Sequence, residues 1–217
     1  MISERRRPPL GDHDAPLSGT GERPALALFP GLAQHGTHDD LERVYTPDAL
    51  ARFCVGLLPW TKRSGLGFSV LEPHAGGGAF LRALLDRPEN IDGRMLIQGG
   101  DIDPDCWAVR NGAAQFDFLD PWSVSGRWNR VIGNPPFDAA EAHVDRGLEV
   151  ADEVAFLLPL SRLDAAVRAP WWQSAPVRHE WRLDKRIWPG SRQIGFFWFD
   201  RNVATPGRWT TEVVSCP

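Results

Sequence analysis

The residues with the clearest chemical potential are Asn134, Pro135, Pro136 and Phe137, which follow the apolar pair Val131-Ile132 and a glycine. Val131 and Ile132 are β-branched and read as a short buried strand. Two successive prolines fix φ, remove two backbone donors and push the residues before them into extended conformations. Asn134 is therefore expected at the strand's carboxyl end, with Phe137 presenting a flat apolar ring. An exocyclic amine on a ring or an amide is a poor nucleophile, because its lone pair is delocalised. The Asn134 side-chain oxygen and the Pro135 carbonyl could each accept one of its N–H groups. That pairing favours the more pyramidal nitrogen that develops during attack on an electrophile. Phe137 could stack on the ring and align it.

A second set of candidates lies upstream. Ser69-Val70-Leu71-Glu72 reads as a buried strand that leads into Pro73-His74-Ala75-Gly76-Gly77-Gly78-Ala79-Phe80 and then a helix carrying Leu81, Leu84 and Leu85. Strand, glycine-rich turn and helix form a nucleotide-binding unit. No Gly-Lys-Ser/Thr follows, so it is not a phosphate-binding loop. The acid Glu72 ahead of the glycines favours a cationic or hydroxyl-bearing ligand over pyrophosphate. Met95 to Gly100 forms the next strand, and Asp101 at its tip has the spacing for ribose-hydroxyl recognition. Asp103 is expected to cap a helix opened by Pro104. Asp117, after the short strand Ala114 to Phe116, is a further acid at a strand tip.

The remaining elements would position these groups. Thr46 is the expected N-cap and Pro47 the first residue of an amphipathic helix with Leu50, Phe53, Cys54, Leu57 and Leu58. A helix with Val144, Leu148 and Ala151 on one face follows Phe137. Val154 to Pro159 is another buried strand, and Ser161 is expected to cap a further helix towards Trp172. From Val177 to Ile187 the pattern alternates, with Val177, Trp181, Leu183 and Ile187 sharing one face and Glu180 on the other. Gly195 to Phe199 is the returning strand, and Trp209 to Val214 is a candidate edge strand. Most of the ten tryptophans read as core. Trp188 differs: it lies in a Pro-Gly loop between Arg186 and Arg192, which suits base stacking and phosphate contact.

The chain has 217 residues, enough for one α/β domain over residues 41–217 behind an irregular arm over residues 1–40. No apolar run approaches a membrane span, and no signal peptide is read at the N-terminus. Three well-separated cysteines match no zinc or disulfide pattern. A reduced, cytoplasmic protein without a metal or a membrane partner is expected. A net charge of −4 means that any nucleic-acid contact must come from a local patch.

Taken in order, these motifs resemble the amino-methylating DNA methyltransferases over roughly residues 43 to 201. Val70 to Leu81 resembles motif I, Asp101-Ile102-Asp103-Pro104 motif II, Asp117-Phe118 motif III and Asn134-Pro135-Pro136-Phe137 the catalytic motif IV. Tyr45-Thr46-Pro47 resembles motif X, Phe156 to Leu163 motif VI and Gly195 to Arg201 motif VIII. The resemblance implies a class I S-adenosylmethionine fold, α/β and Rossmann-like: a seven-stranded, mostly parallel sheet with a terminal antiparallel hairpin and helices on both faces. It implies that Tyr45, Thr46, Glu72, Ala75, Gly76, Gly78 and Phe80 line the methionine half of S-adenosylmethionine. Asp101 would bond the ribose, Ile102 and Phe118 would pack on the adenine, and Asp117 would bond its amino group. Asn134 would serve both cofactor and target. Phe137, Arg186, Trp188, Arg192 and Phe196 are the target-facing candidates. The implied activity is N6-adenine methylation of DNA. RNA, cytosine N4 and a protein glutamine amide are alternatives, and a cofactor-binding module without turnover is the reading from another class. Two departures stand out. His74 occupies a position where the family has a small residue, and it is expected to turn outward. Little follows motif VIII, so a separate target-recognition domain is expected to be missing.

Overall fold

The computed structural model describes residues 45–60, 67–91, 95–164, 166–184, 188 and 192–216. The arm over residues 1–40 lies outside them. Eight strands form one sheet in the order β3-β2-β1-β4-β5-β7-β6-β8. These are β1 (Phe68–Glu72), β2 (Met95–Asp101), β3 (Ala114–Gln115), β4 (Trp128–Gly133), β5 (Ala151–Pro159), β6 (Val177–Leu183), β7 (Ile194–Asp200) and β8 (Thr210–Val214). Strands β3, β2, β1, β4 and β5 pair in parallel, and β7 is antiparallel to both β5 and β6. The expected terminal hairpin is present. The eighth strand is the candidate edge strand, which joins β6 in parallel and raises the count above the expected seven.

Alternate residues of each strand feed two cores. Val70, Ile132, Ala155, Leu157 and Phe196 pack on the side of α1 (Asp48–Leu57) and α2 (Ala79–Leu85), which the one-turn α3 (Pro88–Ile91) follows. Leu71, Val131, Val154, Phe156, Phe197 and Phe199 pack on the side of α5 (Ala140–Val150) and α7 (Ala169–Ser174). Burying both faces is what a parallel sheet requires, and it explains the near-continuous apolar runs of β5 and β7. Among the described residues, no helix is long and apolar enough to cross a membrane.

Local chemistry differs from expectation at five points. Helix α1 begins at Asp48 with Pro47 at the N-cap position and no side-chain cap, so Thr46 does not cap it. Asp103 accepts from the backbone of Asp105 in a turn, and the short helix α4 (Trp107–Arg110) takes its cap from the Cys106 sulfur, which accepts from the Val109 N–H. Ala151 opens β5 and does not extend the α5 face. A bulge between Val177 and His179 shifts the β6 register, so Val177 joins the α5-side core while Trp181 and Leu183 join the other. Glu180, on the face opposite the expected apolar one, is itself fully buried and accepts from Trp209, Thr211 and Arg182.

Candidate active site

Parallel pairing puts the carboxyl ends of β1, β2, β3 and β4 on one edge. Chain order reverses there between β1 and β4, where open α/β sheets form a crevice. A cavity of about 650 Å³ occupies that crevice. Glu72, Asp101 and Asp117 line it from the three strand ends on one side. Asn134, Pro135, Pro136 and Phe137 line it from the fourth.

The glycine turn is held by backbone bonds. Ala75 donates to the Gly100 carbonyl and Gly78 to the Ala75 carbonyl. Asp101 ties β2 to this turn: one carboxylate oxygen accepts from the Gly76 N–H at 2.8 Å and the other from the Asp103 N–H at 2.9 Å. Gly76 has a φ of +43° and its missing Cβ would meet the Tyr45 ring at 2.8 Å. Only glycine allows the ring to lie on the turn. Tyr45, Thr46, Ala75, Gly76 and Phe80 all line the cavity. Gly78 does not. At φ +78° it starts α2 beneath Trp107, so it shapes the turn and does not face a ligand.

Glu72 is 1% exposed, and its Oε2 has no hydrogen-bond partner among the described residues. Burial, reinforced by Asp101, pushes its carboxyl well above the usual range; the Leu81 backbone N–H and Arg82 offset this in part. A buried carboxyl of this kind fits a cationic ligand group, such as an ammonium or sulfonium. At the adenine end suggested by the sequence, Ile102 is 61% exposed and lines the cavity, a large apolar side chain left uncovered. Asp117 accepts from the Leu119 N–H and is exposed. Phe118 is buried and stacks on His143 at an interplanar angle of 8°. These groups fit S-adenosylmethionine: a carboxyl for its charge, a glycine cradle, an acid on the ribose side and an apolar plate.

His74 does not turn outward. Its Nε2 lies 2.9 Å from Nδ1 of His143 on α5, and its ring meets Phe118 and Phe156 edge-on. Burial and the neighbouring His143 hold its pKa well below normal. Burial lowers His143 to about 4, against a small opposing pull from Asp117. Both imidazoles are therefore neutral near pH 7, and the pair ties the glycine turn to the helix that follows the proline turn.

On the target side, Phe137 opens a short 3₁₀ turn (Phe137–Ala139) that runs into α5. The Arg192 guanidinium lies 6.0 Å from its ring centre and lines the cavity. Two target-facing candidates are placed elsewhere. Trp188 is 5% exposed and belongs to the core, its ring 6.1 Å from that of Phe137, so it supports that ring and offers no exposed stacking face. Phe196 is fully buried and stacks between Phe80 and Trp181. Both belong to an aromatic hairpin whose inner face is core. Arg186 lies outside the described residues.

Sequence reasoning also missed groups. His143 lies with Ala140, Val144 and Gly147 on the buried face of α5, so helical spacing could have placed it inward. Arg162, whose side chain donates to the Phe137 carbonyl, had no signal in the sequence.

No protein-family model matches the chain. Over 116 residues, 51% of its length, it is 36% identical to a type II methyltransferase of Thermus thermophilus. It spans about a quarter of that relative, 24% of its length. Among solved structures, the methyltransferase subunit of a type I restriction-modification system from Streptococcus thermophilus matches with a TM-score of 0.63 at 15% identity, over 76% of this chain and 46% of that one. A Listeria monocytogenes protein described as a class I S-adenosylmethionine-dependent methyltransferase gives 0.61 at 14% identity, over 83% and 68%. A Pyrococcus horikoshii protein described as an RNA methyltransferase gives 0.54 at 18% identity, over 82% and 96%.

The architecture is that of the class I S-adenosylmethionine-dependent methyltransferases. Within that class the sequence similarity runs to a type II methyltransferase, which bears out the resemblance drawn from the motifs.

Proposed function

We propose that this chain transfers a methyl group from S-adenosylmethionine to the exocyclic N6 amine of adenine in DNA. One observation carries the reading: the Asn134-Pro135-Pro136-Phe137 turn and the Gly76 turn open into a single cavity at the switch point of the sheet. The cofactor, when bound, supplies a methyl group activated on a sulfonium. Asn134 and the Pro135 carbonyl accept the two amine N–H groups and draw the nitrogen towards pyramidal geometry. Phe137 stacks on a base flipped out of the duplex. Arg192, at the cavity rim, meets the backbone phosphates beside that base. Glu72 and Asp101 set the cofactor side. The similarity to a type II methyltransferase supports the methyl-transfer part of this reading.

The test is a substrate panel with methyl-labelled S-adenosylmethionine. Its arms are unmethylated duplex DNA, structured RNA and total protein, followed by nucleoside analysis of any labelled product. Label in N6-methyladenine from DNA is the expected result. Label confined to RNA, to N4-methylcytosine or to glutamine would replace the substrate and keep the chemistry. Tight cofactor binding with no transfer to any arm would make the chain a binding module.

A further inference from the structure

The turn that carries the proposed target pocket has a mechanical problem. Pro135 and Pro136 bring no N–H groups, so across these two residues the surrounding protein can grip the turn through carbonyls and side chains alone. One carbonyl is gripped strongly. The oxygen of Phe137 accepts the Ala140 N–H of the 3₁₀ turn and also a guanidinium N–H of Arg162.

Arg162 stands on α6 (Ser161–Asp164), directly after β5, and is 6% exposed. A cation so far from solvent needs partners. Its second is Glu141, in the first turn of α5, at 3.5 Å, and Glu141 is approached from its other side by Arg168 at 3.4 Å. Arg162 is not among the described residues that line the cavity, and it touches the site through the Phe137 main chain. The ring of that residue has only loose aromatic and cationic neighbours among the described residues, Trp188 at 6.1 Å and tilted by 44°, and the Arg192 guanidinium at 6.0 Å.

We infer that Arg162, oriented by Glu141, is a positioning residue that fixes the Phe137 turn against the target amine. The inference rests on the methyl-transfer reading above and adds a residue to it. A charge-assisted bond to a carbonyl is stronger and more directional than a neutral one. It replaces the restraint that the prolines cannot supply. Loss of the guanidinium leaves the cofactor side intact and lets the stacking ring drift from its line of attack.

The experiment uses the full chain, unmethylated DNA from a methylation-free host and labelled S-adenosylmethionine. Single-turnover rate, cofactor affinity by calorimetry and melting temperature are read for each variant. Arg162→Ala is expected to lose about 100-fold in rate, the order of effect of an ångström-scale misplacement, with unchanged cofactor affinity. Added guanidinium ion restores part of the rate, and Arg162→Lys falls between. In a Phe137→Ala background the same change costs little more, because the group it positions is gone. Glu141→Gln, which keeps the buried cation but removes the carboxylate that aims it, melts lower and shows a smaller loss in rate, read well below its melting temperature. It also decides the matter if Arg162→Ala fails to fold. Wild-type rates in Arg162→Ala or Glu141→Gln, or cofactor affinity falling in step with rate, overturn the inference. An inactive wild type overturns the reading beneath it instead.

Discussion

Two turns face each other across the cavity and are built by opposite means. The turn after β1 is rich in glycine and gains order from outside: Asp101 takes the Gly76 N–H, Arg82 donates to the Gly77 carbonyl, and Tyr45 lies on the backbone. The turn after β4 is stiff within itself, with two prolines in succession, and is anchored to the rest of the protein at the Phe137 carbonyl by Arg162. The first lines open cavity with backbone and little side chain, which suits a ligand that must enter and leave with each turnover. The second offers acceptors in fixed positions, which suits a reacting group whose geometry decides the rate. Buried Glu72 and the neutral His74–His143 pair lie between the two.

Disabling the proline turn is expected to have the largest effect. Asn134→Ala should lower methyl transfer by about 10³-fold, the range seen when one positioned acceptor or donor is removed, while calorimetry still registers cofactor binding. Loss of both together would mean that the two turns are not separable. Beneath the same turn, Trp188→Ala should cost about 3 to 5 kcal/mol in denaturant unfolding, as for other buried aromatics. An unchanged stability with weakened DNA binding would return Trp188 to the stacking role its flanking arginines suggested.

The glycine turn should respond to a smaller change. Gly76→Ala places a side chain in left-handed backbone and against Tyr45. A penalty of about 1 to 2 kcal/mol in folding stability follows, which denaturant unfolding would register, and displacement of Tyr45 from the cavity wall should weaken cofactor binding, read by calorimetry. Wild-type affinity would mean that the Tyr45 contact is dispensable.

The groups between the turns give the smallest effects, and their signs are opposed. The folded Glu72 holds its proton to a higher pH than the unfolded chain does. Stability is therefore lost as pH rises from the ordinary carboxyl value towards the raised one. Glu72→Gln should melt higher than wild type at neutral pH while binding cofactor less well. His143 runs the other way. The unfolded imidazole takes a proton at about pH 6.5, the folded one only at about 4. Melting temperature should fall as pH drops across that window, and His143→Gln should flatten the fall.

What could be read from the sequence follows the same division. Strand tips were legible because a buried strand ending in a polar residue is a local pattern, and Glu72, Asp101, Asp117 and Asn134 all come to one cavity. The hairpin was legible as strands but not as surfaces. A bulge beside Arg178 reverses the face of Val177, and buried Glu180 is satisfied by Trp209 and Thr211 about 30 residues on. Local spacing carries no trace of such partners. Trp188 and Phe196 failed for a related reason: core packing is decided by what arrives from elsewhere in the chain. Cys106 as a helix cap and His74 turned inward depend on contacts with α4 and α5 that no motif encodes.

The most direct measurement is base-modification sequencing of DNA from a methylation-free host expressing this chain, beside a host expressing Asn134→Ala. N6-methyladenine at a recurring site in the first culture and none in the second is the expected result. No modified base with the wild-type chain, or the same pattern in both cultures, would contradict an enzyme built on the proline-held asparagine.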